Sequence, residues 1–316
     1  MNRKTSIAVT PEGVISCISP QTAVPPEATP SHVYPYILLW RVATFSLRTR
    51  WKRGLLFWCR FAANPLPTMR WWRFTATFAV VRGLPPPHDE LLQKPLSKFL
   101  VHGMPNSRRL ALLMEHFSIA GAILSRESLM RLWRGEWLEM GTVQGKCDAY
   151  ACSIALADRS GGRHEGAFAI KLVRFNDQAL LCTARFVFVS QKPEGRYTFV
   201  VGSMQGPRNA KQRVVDVTRD LFGLRPKEAI LIVLQGLAAE GGMHHFFAVS
   251  QAKHPIRYRR RARQSMLLSN IDAFWVERSA QHEGTYGFRV PYSKLSGADR
   301  RSQSKLWFYN IGELFH

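Results

Sequence analysis

The stretch YTFVVGSMQGPRNAKQ, Tyr197–Gln212, decides how the chain is read. Its first five residues are β-branched or aromatic, as a buried strand prefers. Gly202, Gly206 and Pro207 then punctuate the run, and Arg208 and Lys211 bring positive charge to the place where a helical pattern begins. A strand ending in a glycine-bearing basic turn before a helix offers backbone N–H groups and cations to an anion. A plain turn uses the same residue types, because Gly and Pro mark turns wherever they fall.

Upstream, WLEMGTV, YACSIALAD, GAFAIKLVRF and ALLCTARFVFVS are short β-rich runs separated by Gly, Asp and Asn, which suggests an antiparallel meander. Before them, Leu110, Leu113, Met114 and Phe117 recur at helical spacing behind the capping-competent Asn106 or Ser107. Downstream, VVDVTRDLFG stops at Gly223, and RPKEAILIVLQGLAAEGG carries Pro226 early and glycines at its end, as a helix tolerates. HHFFAVS reads as a strand, QSMLLSNIDAFWVERSA as a helix and YGFRVP as a last strand. The tail LSGADRRSQSKLWFYNIGELF reads as partly helical. The fold class is therefore α+β, with N-terminal helices followed by a mixed, mainly antiparallel sheet with flanking helices. The order also matches a GNAT-like N-acetyltransferase, with YTFVV as central strand and RPKEAILIVLQGLAAEGG as cofactor-side helix. That is an analogy of element order.

Three segments are expected. Residues 1–33, rich in Pro, Ser and Thr, form a disordered tail. Residues 34–84 form a basic, Trp-rich helical segment, in which Trp40, Trp51, Trp58, Trp71 and Trp72 interleave with arginines and acids are absent. An aromatic stripe there packs on the body, or a Trp/Arg surface helix lies on anionic lipid. Residues 85–316 make the α+β domain.

Charge bounds the partners. Lys and Arg number 44 against 22 Asp and Glu, a formal +22 that favours nucleic acid, an anionic membrane surface or a phosphorylated small molecule. Five cysteines without a C-x-x-C pair read as reduced thiols of a cytosolic protein. No apolar run approaches the ~20 residues of a spanning helix and the N-terminus lacks a signal-peptide core, so a cytoplasmic protein, soluble or peripheral to the inner membrane, is expected. No metal-ligand spacing, Walker loop, G-x-S-x-G or H-E-x-x-H occurs, and no metal is expected.

The candidate anion-binding residues are Gly202, Gln205, Gly206 and Arg208, joined by Arg225 and Lys227, cations at a helix start that oppose the helix dipole unless an anion is near. The R/Q-x-x-G-x-G/A signature of GNAT proteins does not match this loop. His254, beyond the strand FFAVS, is a candidate general base, with Glu277 or Asp272 on the next helix as alternatives. KHPIRYRRRAR, holding Arg257 to Arg263 around Tyr258, could neutralise phosphates without reading sequence, although a solvated face is the common fate of such runs.

VVGSMQGPR, TRDLFGLRPKEAILIVLQGLA, FFAVSQAKH and AFWVERSA, with LLMEHF and HEGAFAIKLV before them, resemble the VirK/YbjX family of bacterial proteins over most of residues 90–310, with the tail and the Trp/Arg-rich segment outside the resemblance. Phe117 stands where that family often has Tyr after the histidine. The resemblance implies a domain of unknown function associated with virulence, envelope stress and resistance to cationic antimicrobial peptides, with no catalytic set to carry over. It implies a contribution to envelope stress response or virulence. For an enzyme, acyl or aminoacyl transfer from acyl-CoA or another acyl donor to an amine or lipid is the expected class. The alternatives are a non-catalytic basic adaptor for anionic membrane or an acidic protein, and non-specific nucleic-acid binding.

Overall fold

The computed structural model describes residues 51–85, 87, 89–92, 94, 98–258, 270–295 and 297–315. The expected N-terminal tail, Trp40 and the arginines from Arg259 to Arg263 lie outside the described residues. Helices α1 (Trp51–Ala63), α2 (Pro65–Val81), α3 (Asp89–Leu92), α4 (Asn106–Ile123) and α5 (Arg126–Trp133) precede the sheet. The meander β1 (Leu138–Gln144), β2 (Ala149–Leu156), β3 (Phe168–Arg174), β4 (Leu180–Gln191) and β5 (Arg196–Gln205) follows. Then come α6 (Lys211–Asp220), α7 (Pro226–Leu237), β6 (His245–Val249), α8 (Ile271–Val276), β7 (Gln281–Glu283), β8 (Gly287–Pro291) and α9 (Arg300–Glu313). Among these no helix is long and apolar enough to cross a membrane.

The eight strands form one sheet in the order β1-β2-β3-β4-β5-β6-β8-β7. Every neighbouring pair is antiparallel except β5–β6. A parallel pair needs a long connection, and α6 and α7 supply it. The α+β class with a mixed, mainly antiparallel sheet is the architecture read from the sequence. β4 is buried without interruption from Leu181 to Val189 and β5 from Tyr197 to Met204. Successive side chains point to opposite faces, so both faces of these central strands are covered. That is why their sequences are continuous apolar runs.

Helix α4 completes the sheet with side chains. β3 pairs with β4 only as far as Phe168 opposite Phe186. Beyond that point the Phe188 N–H donates to His116 Nδ1 at 3.0 Å, and the Ser190 N–H donates to Glu115 Oε1 at 2.6 Å. The pair Glu115-His116 thus satisfies two strand donors that would otherwise lack a partner. The His116 ring also packs among Phe117, Phe168 and Phe188. The start of α4 differs from the reading by side-chain cap: Pro105 flanks it, and Asn106 instead donates to Asn64 Oδ1 at 2.8 Å. At the far side, α9 lies on α7 so closely that a β-carbon at Gly236 would meet the Tyr309 carbonyl oxygen at 2.0 Å. One at Gly312 would meet that of Val233 at the same 2.0 Å.

Burial, with the Lys94 charge adding to it, holds His116 well below the ordinary histidine range. Burial also lowers His254; Glu165 pulls the other way and Arg185 adds to the lowering. In both cases the unfolded chain, titrating at about 6.5, binds protons that the folded chain refuses, so stability is complete above that pH and is lost as pH falls below it. Urea unfolding from pH 8 to pH 5 should give a flat stability above pH 7. Below about pH 6.5 it should decline by up to ~1.4 kcal/mol per pH unit for each histidine. A stability that stays constant down to pH 5 would contradict the neutral state assigned to both rings.

Candidate functional site

The parallel pair β5–β6 is short. Val200 and Val201 match Phe247 and Ala248, and no further register is shared. On its other edge β5 stays paired with β4 through Gln205, but with a bulge: Arg185 faces Ser203 while Phe186 faces Val201. One residue on β4 corresponds to two on β5, so Gly202 is the extra residue. β6 meanwhile turns away, and the Ser250 N–H donates to the Tyr286 carbonyl at 3.1 Å. The two strands therefore part beyond Val201; among the described residues, Gly202, Ser203 and Met204 have no strand partner on the β6 side but are buried, and Gln205 is exposed.

Polar side chains collect at this fork. Arg185, buried on β4, donates from Nη1 to Glu165 Oε2 at 2.8 Å and to Ser203 Oγ at 3.2 Å. Its Nε reaches Ser160 Oγ at 2.9 Å, and its Nη2 reaches the Ser160 carbonyl at 2.7 Å. Ser203 Oγ donates to the same Glu165 Oε2 at 2.6 Å. The turn carrying Ser160, Ala157–Ser160, is tied to the body by the buried Lys94–Asp158 ion pair. Glu165 is less enclosed than Arg185, with 18% of its side chain exposed against 7%.

His254 completes the cluster. It follows the short turn Gln251–Lys253, and its Nδ1 accepts the Ile256 N–H at 3.2 Å. In a neutral ring the proton then sits on Nε2. That nitrogen is buried, lacks a hydrogen-bond partner among the described residues and lies 3.9 Å from Glu165 Oε1. Glu165 therefore presents one oxygen fully engaged by Arg185 and Ser203, and a second with only a loose neighbour.

The sequence-derived candidates divide between this fork and a separate cleft. Gly202 and His254 lie at the fork, on either side of Glu165: a β-carbon on Gly202 would meet the Glu165 carbonyl oxygen at 1.8 Å. Gln205, Gly206 and Arg208 follow β5 into the loop, all exposed, and Asn209 makes the left-handed turn there at φ 55°. Arg225 and Glu277 come together elsewhere, as an ion pair at 3.3 Å. With Glu228, Arg278 and Arg301 they line a polar cleft of about 470 Å³. Lys227 instead places its ammonium over the Phe274 ring, 5.4 Å from the centroid. No contact joins His254 to Glu277 among the described residues. Asp272 is a structural acceptor, taking the Gln251 N–H at 2.8 Å. Tyr258 is also engaged: its hydroxyl takes the Gly103 N–H at 2.8 Å and a bond from Arg109, and its ring packs on His102.

Sequence reasoning did not single out Glu165, Arg185, Ser203 or Ser160. The usable signal was Arg185, a lone charge inside ALLCTARFVFVS, because a charge in a doubly covered strand must find a buried partner. No cluster of His, Cys, Asp and Glu suited to a metal ion occurs among the described residues.

No curated protein and no solved structure matches the chain. A family model does, over residues 46–300, and it reaches further toward the N-terminus than the motifs quoted above, taking in α1 and α2. The chain belongs to the family described as a protein of unknown function, DUF535, which is the VirK/YbjX family.

Proposed function

We propose that the fork between β5 and β6 is the active site of a GNAT-like transferase that moves an acyl or aminoacyl group from a thioester donor to an amine, in the envelope-stress setting implied by the family resemblance. The observation that carries this reading is the end of β5 beside the Gly202 bulge, where the strand has no β6 partner after Val201 and comes to the surface at Gln205. An extended arm bearing amide groups, such as the pantetheine of an acyl carrier, can pair with such a strand end from Gln205 outward. Arg208, in the loop after β5, and Lys211, the first residue of α6, stand exposed where that helix begins without a side-chain cap, and so suit the donor's phosphates.

Glu165 is placed to act as the base. Arg185 and Ser203 hold its Oε2, which leaves Oε1 to accept the proton that the amine loses as nitrogen attacks the thioester carbonyl. The C–N bond forms, the C–S bond breaks, and the departing thiolate takes up a proton. His254, held neutral by burial, presents Nε2–H toward Glu165 and is a positioning residue. Arg185 fixes the carboxylate through its buried fork of donors.

Acetyl-CoA serves as the probe. Native mass spectrometry and thermal unfolding of the full chain should show binding, and a panel of amines should show acetyl transfer. Glu165→Gln should retain binding but lose transfer by about 10²-fold or more, the usual yield of general-base catalysis. Failure of the wild-type protein to bind any CoA thioester, or equal transfer by Glu165→Gln, would overturn the assignment.

A further inference from the structure

Helices α1 and α2 carry an outward surface that the transfer reading does not use. Their inner sides are ordinary core, with Phe57 and Phe61 stacked on Trp72 at 6.0 and 5.4 Å between ring centroids. Among the residues of α1 whose side chains are described, Leu55, Trp58, Cys59 and Ala62 are nonetheless exposed and recur at helical spacing. Exposed large apolar side chains that recur along one helix face expect cover from outside the domain. On α2 the exposed side carries Leu66, 72% accessible, and Met69, 55% accessible, directly followed by Arg70 and then Arg73.

Charge identifies what the cover is. From Ala28 to His88 the sequence contains no Asp or Glu, while Arg41, Arg48, Arg50, Lys52, Arg53, Arg60, Arg70, Arg73 and Arg82 fall within it. A protein partner matched to so one-sided a field would need a strongly acidic face that is also apolar. An anionic lipid surface supplies both properties, with acyl chains for the leucine, methionine and tryptophan side chains and headgroups for the arginines. We infer that the exposed face of α1 and α2 docks on an anionic membrane surface, which places the fork on a lipid-bound protein. This inference is independent of the transfer reaction and concerns only where the protein sits.

The test is flotation of the full chain with vesicles of phosphatidylcholine alone or with roughly 30% phosphatidylglycerol, whose headgroups supply the negative surface potential that attracts basic segments. The wild-type protein should float with the anionic vesicles only, and less at raised salt. Leu66→Ser/Met69→Ser and Arg70→Gln/Arg73→Gln should each lower the partition coefficient roughly tenfold with unchanged melting temperatures, because these side chains are exposed. A second readout uses Cys59, labelled with an environment-sensitive fluorophore in a Cys17→Ser/Cys147→Ser background. Its emission should shift to the blue with anionic vesicles. Absence of flotation, variants that float like wild type, or no shift at Cys59 would overturn the inference. So would a dimer that these substitutions dissociate without any lipid binding, which would show a second copy to be the cover.

Discussion

Arg185→Leu should cost the protein about 3–5 kcal/mol, the usual penalty when one partner of a buried ion pair is removed. The loss has three parts. The Glu165 carboxylate keeps its enclosure but loses its 2.8 Å charge-assisted donor. Ser160 loses both bonds that its hydroxyl and carbonyl receive from the guanidinium, at 2.9 and 2.7 Å. Ser203 is left sharing Glu165 alone. Against a typical total of about 5–15 kcal/mol, such a variant is close to unfolding at 37 °C. Urea titration measures the effect. Arg185→Leu/Glu165→Leu should be more stable than Arg185→Leu alone, because deleting both charges removes the unpaired carboxylate. If the single and double variants lose equally, the pair is not coupled and the cluster is not the unit described above.

How much of this was legible in the sequence follows from how local each feature is. The meander was readable because β-branched runs and turn residues are local signals, and the continuous apolar runs of β4 and β5 record burial on two faces. α7 announced itself through Pro226 at its first turn. β7 did not, because Gln281, His282 and Glu283 form a polar, three-residue edge strand whose only strand partner among the described residues is β8. α5 also went unread, although Ser125 accepts the Ser128 N–H as its cap.

The site was legible only in halves. Gly202 and His254 drew attention by residue type, but what joins them is Glu165. Its partners Arg185, Ser203 and His254 lie 20, 38 and 89 residues away along the chain. Pairings of that kind are set by the tertiary fold, and no local period reports them. Arg225 and Glu277 were chosen for separate reasons, and only the packing of α8 against the start of α7 reveals them as one ion pair.

Gly202→Ala should be the other severe substitution, and comparison with Gly206 separates turn from site. At Gly202 the new methyl carbon would stand 1.8 Å from the Glu165 carbonyl oxygen, 2.8 Å from its carbon and 2.9 Å from Leu100 Cδ1. The Leu100 side chain can rotate; the Glu165 backbone has less freedom. Its neighbour Gly166 is itself pressed on β4, where a β-carbon would meet the Phe186 nitrogen at 2.5 Å. Relief therefore requires moving the segment that carries Glu165 away from the bulge, a backbone adjustment costing about 3 kcal/mol or more. At Gly206 the nearest atom to a β-carbon is the Leu181 carbonyl oxygen at 3.3 Å, and the backbone there is not in the left-handed region. Gly206→Ala should thus stay within about 0.5 kcal/mol of wild type, as exposed positions usually do. Thermal and urea unfolding of both variants give the ranking, and acetyl-CoA binding adds the functional half. Gly202→Ala should lose both stability and binding, because the edge of β5 and the Glu165 segment move together. Arg208→Ala should leave the melting curve unchanged and weaken binding alone, since its side chain is exposed. If Gly206→Ala proves as damaging as Gly202→Ala, the constraint lies in the loop after β5 and the bulge is not what shapes the fork.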